Sequence, residues 1–391
     1  MRTYSSLTER FTESVIREMT RICDACGGLN LAQGFPDFPP PTEVVEAAER
    51  ALRDRGGALN QYPVTFGEPE LREAIADKVR AYNGIVCDPA TEVTVTCGAT
   101  EAMMAALKAI VNPGDEVVIF EPFYENYGPD SILSGATPRY VTLYPPDWRY
   151  DSDELRAAFG PETKAVIVNT PHNPTGKVFT RAELYEIARL CQEWDCFAVT
   201  DEVYEHILYD GAEHVSMASL DGMAERTITI SSASKTYSVT GWRIGWAIAS
   251  QETTSRIRKV HDFLTVGAPT PFQHAIAAGL ALPDEYYTQL ASRYQKSRDF
   301  LFGVLRQTGF DPLMPRGAYY IVSQTAGVMK RLGVSDDLSF STELVKRTGI
   351  ATVPGYSFYH GKDSVTKQVR FCYSKSDETL RAVAERLRAL R

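Results

Sequence analysis

Thr227-Ile228-Thr229-Ile230-Ser231-Ser232-Ala233-Ser234-Lys235-Thr236-Tyr237-Ser238-Val239-Thr240-Gly241-Trp242-Arg243-Ile244-Gly245-Trp246 is the stretch on which the reading of this chain turns. A short β-type run at 227–230 delivers one lysine into a set of small hydroxyl residues. An arginine follows eight positions later, with a glycine on either side of it. A solvated lysine requires none of this. An anion site beside an amine requires all of it: hydroxyl donors, a forked cation and close backbone approach. Alone, the stretch also fits a Ser/Thr-rich surface loop, so its meaning depends on what the rest of the chain brings to it.

Working outward, further strand signals lie at 92–97, 116–120, 165–169, 197–200 and 245–249, with helical patterns between several of them at 101–111, 152–159 and 181–194. Strands that alternate with helices predict an α/β fold: a mostly parallel central sheet sandwiched by helices. Ligands of such sheets bind outside the carboxyl ends of the strands. Before this region come a helical pattern at 10–29, a proline-rich loop through Phe35-Pro36-Asp37-Phe38-Pro39-Pro40-Pro41, and two amphipathic patterns at 42–54 and 68–82. After residue 280 the pattern changes to long helices at 285–307, 338–347 and 376–390, with short strand-like pieces at 318–323, 350–353 and 367–373. The expected division is a large domain over 47–280 and a smaller α+β domain made of 1–46 with 281–391.

The chain has 391 residues, enough for two domains, and is 44% hydrophobic and 23% charged, which is globular composition. Its formal net charge is −9 without basic blocks, which points to small-molecule partners and away from nucleic acid. No run reaches the ~20 apolar residues of a membrane span, and the first residues lack an apolar signal core. The seven cysteines have no regular spacing beyond the pair Cys23 and Cys26, so neither a disulfide framework nor a metal site is expected, and the expected compartment is the cytoplasm.

Four strand ends carry polar groups that make sense together. Gly98-Ala99-Thr100 offers backbone N–H groups at a helix start. Thr170-Pro171-His172-Asn173-Pro174-Thr175-Gly176 presents Asn173 from a proline-fixed turn. In Asp201-Glu202-Val203-Tyr204 a carboxylate follows an apolar strand, a costly position unless a cation meets it. The last strand end delivers Ser232, Lys235 and Arg243.

In order and type these groups resemble the class I aminotransferases, fold type I enzymes that use pyridoxal 5′-phosphate. The resemblance runs from Asn30-Leu31-Ala32-Gln33-Gly34-Phe35-Pro36-Asp37 to Val369-Arg370-Phe371-Cys372-Tyr373. It implies that Lys235 forms the Schiff base with the cofactor and then carries a proton between the donor's Cα and the cofactor. It implies that Asp201 pairs with the pyridine nitrogen, that Tyr204 and Asn173 hydrogen-bond the ring's phenolic oxygen, and that Tyr124 stacks on the ring. The phosphate would be held by Ala99, Thr100, Ser232 and Arg243, with Tyr62 reaching it from a neighbouring subunit, so a homodimer with shared active sites is implied. Arg370 would grip the substrate carboxylate, which Gly34 lets approach closely.

Gln33-Gly34-Phe35-Pro36-Asp37, Asn60-Gln61-Tyr62, Glu121-Pro122-Phe123 and Arg370-Phe371-Cys372 look most like the kynurenine, glutamine and methionine aminotransferase branch. That implies ping-pong transfer from a neutral or broad range of amino acids to a 2-oxo acid. The branch's aromatic pocket is missing: Ile16 stands where a tryptophan is expected, Thr100 where a tyrosine is, and Thr265-Val266-Gly267-Ala268-Pro269 lacks an aromatic–histidine pair. Arg17, beside Ile16, leaves open an aspartate- or glutamate-specific enzyme, although an arginine there also fits a solvated helix face. A carbon–sulfur lyase or an oxidase on the same scaffold is the remaining alternative.

Overall fold

The computed structural model describes residues 4–361 and 366–390. Its largest sheet has seven strands: β1 (Val93–Thr96), β2 (Glu116–Glu121), β3 (Thr137–Thr142), β4 (Thr163–Asn169), β5 (Phe197–Asp201), β6 (Thr227–Ser232) and β7 (Gly245–Ile248). They lie in the order β1-β7-β6-β5-β4-β2-β3. β7 runs antiparallel to both of its neighbours, and every other pairing is parallel. The sheet is therefore mixed, as a mostly parallel one with an inserted antiparallel strand.

Alternation within the strands builds two cores. Val117, Ile119, Ala165, Ile167, Val199 and Ile228 face one side, where they meet Ala102, Ala106 and Ile110 of the helix Ala99–Ile110. Val118, Phe120, Val166, Val168 and Ala198 face the other, against Leu184, Ile187 and Cys191 of the helix Arg181–Glu193. Such two-sided burial is why these strands read as nearly continuous apolar runs. β3 escapes that reading because it is an edge strand with Pro138 and Arg139 in its middle and an alternately exposed pattern. Helices Tyr127–Ser134, Gln251–Leu264 and Thr270–Leu280 also lie outside the sequence expectation. Their buried faces include Asp130, Thr253, Thr254, His261 and Gln273, so their apolar period is broken.

A second, four-stranded antiparallel sheet joins Asp311–Pro312, Tyr320–Gln324, Gln368–Cys372 and Val353–Pro354. Long helices at Asp284–Gln307, Asp337–Thr348 and Asp377–Leu387 follow the predicted positions. The N-terminal segment packs with this part of the chain. Leu29 and Asn30 pair in parallel with Ile350 and Ala351, and Ile16, Met19 and Cys23 bury against Val345, Val353 and Phe358. The first helix spans Val15–Ala25 and is shorter than 10–29, because Ser14 caps its start by accepting from the Arg17 amide.

Candidate active site

At the carboxyl ends of β4, β5 and β6 lies a cavity of about 840 Å³. The residues that line it come from strand ends, from the first helix and from the second sheet. Lys235, Asp201, Tyr204, Asn173, Ala99, Thr100, Tyr124, Ser232, Arg243, Gly34 and Arg370 all line it. Tyr62 alone of the predicted site residues does not; its side chain is 86% exposed.

Lys235 sits in the single helical turn Ala233–Thr236 that follows β6. Its Nζ donates to the Gly34 carbonyl at 3.3 Å and lies over the Tyr204 and Tyr319 rings at 5.7 and 5.8 Å. Burial holds its amine down at about 8, and the positive charges of Arg243 and Arg370 act in the same direction. The amine is therefore partly neutral near physiological pH.

Asp201 ends β5, opposite Asn169 at the end of β4. Burial lifts its carboxyl above the usual carboxylate range, although Tyr127, the Val203 amide and Lys235 all favour the ionised form. The Tyr127 hydroxyl donates to Asp201 Oδ2 at 2.7 Å. Asn169 fixes two elements at once: its Nδ2 donates to the Asp201 carbonyl at 2.9 Å, and its Oδ1 accepts from the Asn173 amide at 2.7 Å. Asn173 Oδ1 in turn accepts from Arg370.

Arg370 is 1% exposed and has no acidic partner among the described residues. Nη1 donates to Asn173 at 2.7 Å, Nη2 donates to the Ala32 carbonyl at 2.6 Å, and Nε has no partner. Its guanidinium also rests on the Tyr320 ring at 4.2 Å. A buried cation left in this state is set up to receive an anion. The Tyr320 hydroxyl also contacts Tyr204 at 3.0 Å and occupies the space that a side chain at Gly34 would need. The close approach at Gly34 thus has a cause within the protein itself.

The turn Cys97–Thr100 opens the helix Ala99–Ile110 above Gly245 of β7. A Cβ on Gly245 would lie 2.5 Å from the Ala99 nitrogen, and one on Gly98 would overlap the Arg243 guanidinium. Gly98 has φ 84°, and Arg243 has the left-handed φ of 58°. Arg243 donates to the Thr240 and Cys97 carbonyls and has no acidic partner among the described residues. The result is a cradle of free amides at a helix start with a guanidinium beside it.

Tyr127, Asn169, Tyr320 and Asp130 also line the cavity and were not among the sequence candidates. Asn169 carries a signal that could have found it, a polar residue closing an apolar strand as Asp201 does. Tyr320 carries none, because it arrives from the other sheet. Asp130 is 5% exposed with an unpartnered Oδ2, and burial pushes its carboxyl up to about 7.

With this geometry the comparisons with known proteins agree. Residues 27–387 match the family of class I and II aminotransferases. Kynurenine–oxoglutarate transaminase 1 of Homo sapiens is 37% identical over 399 residues, covering 95% of this chain and 94% of that one. The solved N-succinyldiaminopimelate aminotransferase of Mycobacterium tuberculosis superposes with a TM-score of 0.94 at 39% identity over 100% of both chains. A solved Escherichia coli methionine aminotransferase gives 0.91 at 35% identity over 99% of both.

The chain belongs to the class I and II aminotransferases. Enzymes of this class use pyridoxal 5′-phosphate, and the residues present fit it. The glycines let the Ala99 amide and the Arg243 guanidinium come together at the start of a helix, the Asp201 carboxylate is buried without a cation at bonding distance among the described residues, and Lys235 offers a depressed amine.

Proposed function

We propose that this aminotransferase moves an amino group between a broad range of L-amino acids with neutral side chains and a 2-oxo acid, with Lys235, Asp201 and Tyr204 as its reacting centre. Arg370 supports this reading most strongly: it is a buried guanidinium with an unpartnered Nε and no carboxylate of its own, in the same cavity as the Lys235 amine. Arg370 takes the substrate carboxylate, and Gly34 lets that carboxylate come close. Pyridoxal 5′-phosphate, when bound, supplies the electron sink that allows a proton to leave the donor's Cα. Lys235 would hold the cofactor covalently and would accept and return that proton; an amine with a pKa of about 8 is suited to both directions. Asp201, oriented by Tyr127 and Asn169, would keep the ring nitrogen protonated. Asn173 and Tyr204 would donate to the ring oxygen, Tyr124 would stack on the ring, and Ala99, Thr100, Ser232 and Arg243 would hold the phosphate.

Tyr62 of a second copy completes the phosphate site in a homodimer. Support comes from the exposure of Tyr62, together with Phe263 at 91% exposed, close in sequence to the cavity-lining Leu264 and Thr265. The division into a large domain over 47–280 and a small one over 1–46 with 281–391 is part of the same reading, as is a cytoplasmic setting. All seven cysteines are free, which suits a reducing compartment, and no helix among the described residues is long and apolar enough to cross a membrane.

Ile16 gives the side-chain pocket a small apolar wall, which favours neutral donors. One observation favours a second reading, specificity for aspartate or glutamate. Arg17 lines the same cavity, and its guanidinium has neither an ion pair nor a hydrogen bond among the described residues. A donor screen with wild type and Arg17→Ala separates the two. The first reading expects neutral donors to be turned over with a 2-oxo acid acceptor and to be unaffected by the substitution. Loss of acidic-donor turnover alone would transfer the assignment to Arg17. Pyruvate and ammonia accumulating without an acceptor would replace transfer by elimination.

A further inference from the structure

His261 is 0% exposed, on the helix Gln251–Leu264, and both of its ring nitrogens face acceptors. Nδ1 lies 2.6 Å from Glu101 Oε1, and Nε2 lies 2.6 Å from the Thr65 carbonyl. A carbonyl only accepts, so Nε2 must carry a proton. Glu101 also takes the Thr265 hydroxyl at 2.8 Å on Oε1 and the Cys97 amide on Oε2, so it too acts as an acceptor throughout. A ring protonated on both nitrogens, facing an ionised Glu101, satisfies every one of these groups.

The two acceptors belong to different parts of the site. Glu101 lies in the first turn of the helix Ala99–Ile110 and holds the Cys97 amide at the turn that cradles the phosphate. Thr65 lies three residues after Tyr62, in the loop that presents Tyr62 to solvent. We propose that His261, as a buried imidazolium, is a positioning residue that clamps the phosphate turn of its own subunit to the loop carrying Tyr62. The inference rests on the phosphate assignment made above. The clamp couples the phosphate site of one subunit to the loop that serves the other, through one titratable ring.

The charges around the ring set the sign. Burial works against the imidazolium, but the Glu101 hydrogen bond and charge, the Thr65 carbonyl and Asp262 outweigh it and hold its pKa above the ordinary histidine value. Thr265 and the Cys97 thiol are the other groups near Glu101. On the loop side, Arg72 and Arg258 stack on Phe66, the neighbour of Thr65, and donate to backbone carbonyls, away from the ring. Because the folded pKa is raised, the clamp is complete below the unfolded value of ~6.5 and is lost as pH rises through the folded value.

Imidazole nitrogen NMR on the holoenzyme tests the protonation directly. An imidazole titration midpoint above the ordinary value of ~6.5, with both nitrogens protonated below it and the signals absent in His261→Gln, is expected; a midpoint at or below that value overturns the proposal. Release of pyridoxal phosphate into cofactor-free buffer supplies the second readout. His261→Gln, which cannot donate to both acceptors, should release it about tenfold faster, the effect of one lost charge-assisted hydrogen bond. The wild-type rate should rise with pH where the imidazole signal titrates, and that rise should be missing in His261→Gln. Equal release rates and parallel pH profiles overturn the clamp. If His261→Gln fails to fold, Glu101→Gln replaces it: this variant keeps an acceptor for the Cys97 amide, and it must lower the imidazole pKa. Wild type that binds no pyridoxal phosphate would instead remove the phosphate assignment, while the NMR result would stand.

Discussion

Asp201, Glu202, Val203, Tyr204 and Glu205 leave β5 in consecutive positions and divide between two polar regions that differ in one respect, whether their charges are matched. Behind the segment both carboxylates take several donors, one of them the Lys78 ammonium, although the buried His214 Nδ1 has no partner among the described residues. Glu205 takes Lys78 Nζ at 2.5 Å, Ser231 Oγ at 2.9 Å and Asn83 Nδ2 at 2.7 Å. Glu202 takes the Thr200 hydroxyl at 2.9 Å and His214 Nε2 at 2.7 Å, with Ser216 beside it. Glu202, Glu205 and His214 come within the spacing of a metal site, but the Lys78 ammonium and these donors already serve the carboxylates. In front, among the described residues, Arg370 has a free Nε, Asp201 meets no cation at bonding distance, and Arg243 has only carbonyls. The rear region stabilises the fold. The front region keeps charges in reserve, and in a protein interior such charges mark where a ligand belongs.

The most severe way to break this comparison is Lys78→Met. Lys78 and Glu205 have side chains only 8% and 3% exposed, and removing one member of a buried pair costs about 3–5 kcal/mol. Burial pushes the Glu205 carboxyl up, and the Lys78 charge and hydrogen bond together with His206 and His214 outweigh it, leaving the pKa at about 2. A depressed carboxylate stabilises the fold above its unfolded pKa, and that stability is lost as pH falls from about 4.5 toward 2. Chemical denaturation of Lys78→Met should therefore show a large loss at neutral pH and a weaker acid transition.

Arg370→Ala acts on the front instead. It should lower kcat/KM for every amino donor on the order of 10²-fold, while stability falls less than in Lys78→Met, since it orphans the Asn173 and Ala32 acceptors but leaves no buried carboxylate behind. Steady-state kinetics with several donors, read beside a melting curve, check this. An unfolded Arg370→Ala protein would place Arg370 with the rear region.

Asp130 gives a test that reads pH rather than activity. It faces the front cavity without a partner, and its carboxyl stays protonated up to about 7. Raised above its unfolded value, it costs stability as pH rises from about 4 to about 7. Asp130→Asn should match wild type at pH 4 and be the more stable of the two at pH 8, the gap opening as pH rises from about 4 to about 7, measured by urea unfolding.

How much of this the sequence reveals follows from the same contrast. The anion-binding and amine-bearing residues stand at the ends of apolar strands, so 98–100, 173, 201 and 232–243 are readable as a set. β3 is hidden by its edge position, and three helices by polar residues on their buried faces. Tyr320 and Tyr127 reach the site across long separations in the chain, which no local pattern encodes. His261 reads as an ordinary polar residue until Thr65 and Glu101 are seen on its two sides. Ile16 and Arg17 are visible in the sequence, but their effect depends on a substrate side chain.

Every role assigned to the front region depends on Lys235 being the amine that holds the cofactor. Reconstitution with pyridoxal 5′-phosphate, borohydride reduction and peptide mass mapping test it most directly. The account predicts one stoichiometric cofactor adduct, on the peptide containing Lys235, and none in Lys235→Ala. An adduct on another lysine, or none in the wild type, would contradict it.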